Sequence, residues 1–198
     1  MPGMPSRVSC KIAKNDVFIF RTSTDEKEKP MKWLRVKMPR LESARRVFVA
    51  ARHGSHDLQH KLTAQGMSQM AELADAVRKV AVKRGLAVEI LSSTEPCALY
   101  GAQVIARELG IDGRVMPHEC FRVDSTHKGD CELAVKIVES LFRDGVILLL
   151  VSNVMMSHRL VRYIAGREGF DAKMGEEIRH GSGLMVAKKG VSIIPRPQ

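Results

Sequence analysis

Apolar residues fall into short continuous runs that alternate with longer stretches in which they recur every third or fourth position. Val47 to Ala51 and Val146 to Val151 are runs of strand length with no polar break, the pattern of strands buried on both faces. Val88 to Leu91 and Arg114 to Met116 read as further strands. Between them, Met67 to Arg84 sets Met67, Met70, Leu73, Ala74, Val77, Val80 and Ala81 on one helical face. Pro96 to Leu109 predicts a helix opened by proline and closed by Gly110. Glu132 to Phe142 reads as an amphipathic helix introduced by Lys128-Gly129-Asp130, and Ser157 to Ala165 as another helix. Gly183 to Ala187 and Val191 to Ile194 read as a terminal hairpin. This alternation predicts an α/β fold, a three-layer α/β/α sandwich around a mostly parallel sheet.

The N-terminal quarter has a different pattern. Val17 to Phe20 and Trp33 to Val36 flank a polar TSTDEKEKP turn, which predicts a β-hairpin extension. The expected division is a basic extension over residues 1–45 and a single α/β domain over 46–198.

Composition narrows the class. Hydrophobic residues make up 44% of 198, enough for one globular core. No apolar run approaches the roughly 20 residues of a membrane span. The opening MPGMPSRVSCKIAKN lacks the apolar core of a secretory signal. It is basic, so organelle targeting stays open beside the expected cytoplasmic location. Cys10, Cys97, Cys120 and Cys131 show no CxxC spacing, and reduced thiols in an intracellular protein are expected.

Charge is unevenly spread. Residues 1–46 carry 12 Lys and Arg against 5 Asp and Glu, net +7, whereas residues 47–198 carry 20 against 17, net +3. A basic extension of this kind suits RNA or an acidic partner. The alternative is a solvated basic hairpin, and no aromatic-rich RNA-binding motif accompanies it.

The candidate chemistry lies in Arg46 to Asp57, RVFVAARHGSHD. A buried strand there delivers Arg52 and His53 to its carboxyl end, and Gly54 lets the chain turn away. Open α/β sheets place ligands at the carboxyl ends of their strands. A histidine beside a fixed cation is placed to attack or bind an anion such as phosphate. The loop then leads through Leu62-Thr63-Ala64-Gln65-Gly66 into the first helix.

Strand, RHG, loop, LTxxG and helix together resemble the histidine phosphatase superfamily, which includes phosphoglycerate mutases and SixA-like phosphohistidine phosphatases. The resemblance covers roughly residues 46–190. It implies a phosphoglycerate mutase-like fold, a phosphorylated substrate or phosphate-like anion as ligand, and no metal or organic cofactor. It assigns the phosphorylated nucleophile to His53 and phosphate binding to Arg52.

Two positions depart from the family pattern. After the second strand the family reads SSPLxR; here Ser92-Ser93-Thr94-Glu95-Pro96-Cys97 keeps the serines and puts Cys97 at the arginine position. A thiol cannot replace a bidentate guanidinium. The later strand in the family ends in serine-histidine; here Ser152 is followed by Asn153, which is uncharged. Glu119 matches the acid of the mutase branch, and His127 and His158 are auxiliary candidates. His180-Gly181-Ser182-Gly183-Leu184 resembles the strand start of SixA-like members.

His53, His56, His60 and Asp57 lie close in sequence. However, Gln59 stands where a helical HxxxH zinc site would need a base, so no metal is expected. Three functions stay open: a metal-independent phosphomonoesterase or phosphohistidine phosphatase, a pseudophosphatase that binds without turnover, and a structural or RNA-associated protein.

The charge split makes one prediction. Reversing Lys27, Lys29, Lys32, Arg35 and Lys37 should lower the salt at which the protein elutes from heparin, because polyanion binding releases counterions. Unchanged elution would remove the case for a basic binding extension.

Overall fold

The structure is a computed structural model and describes residues 10–13, 16–19, 36–37, 46–123, 129–170 and 178–195. Two compact units are present, residues 1–41 and 42–198.

In the first unit, β1 (Cys10–Ala13), β2 (Asp16–Ile19) and β3 (Val36–Lys37) form an antiparallel sheet in that order. Val17 pairs with Val36 and Asp16 with Lys37, so the two arms of the expected hairpin do pair. Phe20, Trp33 and the turn lie outside the described residues. β1 is a strand the sequence pattern did not predict.

The second unit is built on β4 (Val47–Arg52), β5 (Ala87–Ser93), β6 (Val115–His118), β7 (Val146–Ser152), β8 (Gly183–Ala187) and β9 (Gly190–Ile194). They form one sheet in the order β6-β5-β7-β4-β8-β9. The first four are parallel to one another, and β8 and β9 close the edge as an antiparallel hairpin. α1 (Ala64–Arg84), α2 (Pro96–Glu108), α3 (Cys131–Leu141) and α4 (Val154–Arg167) supply the outer layers.

Strand alternation explains the layers. Val47, Val49 and Ala51 of β4 belong to a core shared with Met70, Leu73 and Val77 of α1 and Ile105 of α2. Phe48 and Ala50, one residue out of phase, belong to a core shared with Val138 of α3 and Met156, Leu160 and Ile164 of α4. Successive side chains point to opposite faces, and both faces are covered. That is why β7, VILLLVS, is buried at every position.

Local signals set the helix starts. Thr63 accepts a hydrogen bond from the Gly66 N–H at 3.0 Å and caps α1, so the helix begins three residues before the expected Met67. Asp130 caps α3 through Leu133 N–H. α4 begins at Val154 rather than Ser157, because Asn153 accepts from Met156 N–H at 3.0 Å. β6 runs to His118, two residues beyond the expected end.

Arg46 was counted with the basic extension, but its side chain is buried in the second unit. It donates to Glu168 at 3.0 Å and lies over the Phe142 ring. This charge is neutralised and contributes nothing to a basic surface.

The loop between β4 and α1 is pinned by glycine contacts. A Cβ on Gly54 would sit 2.4 Å from the Gly66 carbonyl oxygen, and one on Gly66 would sit 2.0 Å from that of Ser55. Both neighbours are backbone and cannot swing away. Gly66→Ala should therefore lower stability by at least about 2 kcal/mol. Gly166→Ala, in a helix with nothing within 4 Å of the added Cβ, should be neutral or stabilising by about 0.5–1 kcal/mol. Thermal melts of the two variants check this contrast.

Candidate functional site

The carboxyl ends of β4, β5 and β7 meet at one edge of the sheet. Arg52 pairs in register with Ser152, and His53 N–H donates to the Ser152 carbonyl at 3.1 Å. His53 and Asn153 therefore leave neighbouring strands side by side. β5 lies on the far side of β7 and ends at Ser93, and Glu95 and Cys97 follow it at the head of α2.

His53 is 5% exposed. Its Nδ1 lies 3.0 Å from the Gly54 carbonyl oxygen. A carbonyl only accepts, so Nδ1 carries the proton and Nε2 of the neutral ring carries the lone pair. Burial pushes the His53 pKa from 6.5 down to about 4, against the raising effect of the Gly54 bond and with help from His56, His180 and Arg52. Arg52 is half-buried and donates to the Ile178 carbonyl at 3.3 Å.

A second segment completes this side. Gly181 N–H is 3.2 Å from the carbonyls of both Arg52 and His53, and Arg52 N–H donates to Ser182 at 2.9 Å. These bonds set the His180 ring 5.6 Å from that of His53 and 6.0 Å from that of His56. Burial, Arg52 and His56 lower the His180 pKa. Sequence reading placed His180 only at a strand start. The signal for its role is a repeat: Arg179-His180-Gly181-Ser182 copies Arg52-His53-Gly54-Ser55.

The loop after Gly54 folds back over the pocket. Ser55 N–H and Oγ donate to Gln69 on α1, and the Ser55 carbonyl accepts from Thr63. Asp57 Oδ1 accepts from Gln59 and Lys61 N–H at 2.8 and 2.9 Å, which holds a tight turn. Within it His60 adopts φ 59°, a left-handed conformation that costs a non-glycine residue energy. The His56 ring lies 4.9 Å from His53 and stacks on His60 at 5.3 Å. These histidines sit in a loop, so the helical spacing argument against a metal does not describe them.

Cys97 is fully buried on the first turn of α2. Its sulfur lies within 4.8 Å of ring nitrogens of His53 and His56, and likewise of His60 and a Glu95 oxygen. Burial, reinforced by Glu95, raises the thiol to about 12. The position expected to hold a second guanidinium thus brings a thiol and a carboxylate instead.

The remaining candidates are dispersed. Asn153 has both polar ends occupied: Oδ1 caps α4, and Nδ2 donates to the Val123 carbonyl. Glu119 is bonded to Thr94 and paired with Arg122 beyond β6. His158 lies on α4 near Arg162, its pKa lowered by burial and that charge, and it makes no ring contact with His53 among the described residues. His127 lies outside the described residues.

No family model matches the chain, and no curated protein matches it. Solved structures do. The protein histidine phosphatase SixA complexed with tungstate aligns at TM-score 0.54 and 11% identity, covering 74% of this chain and 93% of that one. SixA from Agrobacterium tumefaciens aligns at 0.52 and 17%, covering 75% and 95%. A mycobacterial hydrolase aligns at 0.52 and 15%, covering 75% and 96%. The α/β unit has the fold of the histidine phosphatases. Among the described residues no helix is long and apolar enough to cross a membrane.

The lowered His53 pKa makes a pH prediction. Between about 4 and 6.5 the unfolded chain binds a proton at His53 that the folded protein does not. Stability is therefore complete above that window and falls as pH drops through it, by on the order of 3 kcal/mol at about 1.4 kcal/mol per pH unit. Denaturant titrations in metal-free buffer should show this slope, and His53→Asn should remove most of it. An equal slope in the variant would assign the proton to His180 or another group.

Proposed function

We propose that the pocket hydrolyses phosphomonoesters or phosphohistidine through a phosphohistidine formed on His53. The observation that carries this is the fixed tautomer. Nδ1–H is committed to the Gly54 carbonyl, so Nε2 is the nucleophilic atom at the carboxyl end of a central strand. In the first step Nε2 attacks phosphorus, the P–N bond forms, and the bond to the leaving group breaks. Arg52 binds the equatorial oxygens, where charge accumulates. In the second step water attacks the phosphohistidine and releases phosphate and the free imidazole. The likeness to a tungstate-bound SixA supports an oxyanion ligand, since that anion has phosphate geometry.

One observation favours a second reading. Asn153 is used as a helix cap, and Glu95 and Cys97 stand near the pocket without a guanidinium. A pocket with Arg52 as its main cation would bind an oxyanion weakly and turn it over slowly. The domain would then act as a binding module. We also place the polyanion contact, with RNA or an acidic partner, in residues 1–45, separate from the phosphatase-like domain of 46–198, and the protein in the cytoplasm.

The test uses the full chain with para-nitrophenyl phosphate and a phosphohistidine peptide. His53→Ala should lose at least about 10³-fold in kcat/KM. Arg52→Ala should lose about 10- to 100-fold, the worth of one charged contact. Acid-labile phosphate trapped on wild-type but not on His53→Ala protein would identify the intermediate. Vanadate binding without turnover would select the binding-module reading.

A further inference from the structure

We propose that His60, Glu95 and Cys97 form a site for a divalent transition metal of the zinc class beside His53. This departs from the expectation that the pocket holds no metal. It stands whether or not His53 is ever phosphorylated.

The first argument is geometric. One ligand atom from each residue lies within 4.8 Å of the other two, and His60 Nδ1 is 3.6 Å from Glu95 Oε1. Around a tetrahedral zinc with ordinary bond lengths such atoms are about 3.5 Å apart. The contraction required is at most about 1.3 Å from the 4.8 Å limit, within the reach of side-chain rotation. The donor set, one imidazole, one carboxylate and one thiolate, suits zinc and its neighbours and does not suit magnesium or calcium.

The second argument is the state of Glu95. The residue is 8% exposed, and its Oε2 is buried with no hydrogen-bond partner among the described residues. A buried carboxylate oxygen without a hydrogen-bond donor is costly. Its ionic neighbour among the described residues, His60, is 54% exposed at the side chain, so that pairing is weak. A dication bound by Glu95 and the Cys97 thiolate balances charge, the thiol proton passing to solvent.

The third argument is assembly. The three ligands come from two chain segments that the fold holds together. Asp57 builds the turn that gives His60 its φ of 59°, and the end of β5 sets Glu95 and Cys97 at the head of α2. An alternative triad, His53, His56 and Cys97, shares the sulfur. It leaves Glu95 Oε2 without a partner among the described residues, which is why the Glu95-centred set is preferred. On the phosphatase reading, the ion would also cancel the negative charge of Glu95 on the side of the pocket where the second arginine is expected.

The experiment is zinc binding to the full, chelator-stripped chain by calorimetry, with cobalt(II) as a spectroscopic substitute. Wild type should bind one ion at this site, and cobalt should give a thiolate charge-transfer band. His60→Ala, Glu95→Gln and Cys97→Ser should each weaken zinc binding at least tenfold, and Cys97→Ser should abolish the band. Cys131→Ser, at an exposed free cysteine, should change neither. His60 is exposed, so its alanine variant tests the site even if Cys97→Ser does not fold. Absence of zinc binding, or binding unchanged in His60→Ala, would overturn the proposal. So would binding weakened by His56→Ala and not by Glu95→Gln. Because the readout is metal affinity, failure of His53 turnover and failure of this site are separable.

Discussion

Gly54 and Gly66 touch backbone to backbone, and the organisation of the pocket depends on that contact. A Cβ at either position would overlap a carbonyl oxygen. The contact draws the start of α1 against the exit of β4. Residues 55 to 63 must then close on themselves, and they do so through the Ser55–Thr63 and Asp57–Lys61 bonds. A longer or looser loop would carry His56 into solvent. The closed one returns His56 over His53, with His60 stacked on its outer side. The LTxxG motif is the mechanical part of this arrangement: Leu62 is buried, Thr63 caps the helix, and Gly66 admits the strand exit.

The electrostatic character of the pocket follows from burial more than from paired charge. Arg52 is the guanidinium beside His53, whereas Glu95 and Cys97 occupy the α2 side. His53 is held neutral chiefly by desolvation. A neutral imidazole with a defined tautomer serves equally as a nucleophile toward phosphorus or as a neighbour to a metal site. The exchange of an expected cation for a thiol and a carboxylate makes the pocket less suited to a dianion alone and better suited to a cation, or to a cation with an anion.

The fold persists at 11–17% identity to the solved phosphatases because its requirements are patterns more than residues. β4 and β7 need apolar side chains on both faces, and Val, Phe, Ala, Ile and Leu all satisfy that. The helices need an apolar stripe and a cap. These demands leave most surface positions unconstrained, so low identity and a common sheet order coexist.

Much of the α/β unit was legible in the chain: its strands and helices, the hairpin at the edge, and the delivery of Arg52 and His53 to a strand end. Those features rest on local physics, namely apolar periodicity, capping residues and turn glycines, which act over a few positions. Helix starts were misread where a cap lay upstream of the periodic pattern, as at Thr63 and Asn153. The company His53 keeps was not legible. His180 comes from a segment 127 positions away, and its RHGS repeat has meaning only once β8 pairs with β4. Glu95 and Cys97 reach the histidine loop only because β5, β7 and β4 lie in that order. Strand order is decided by long-range burial, which no local pattern encodes. The sequence by itself thus determined which groups were available, and the tertiary structure decided which of them meet.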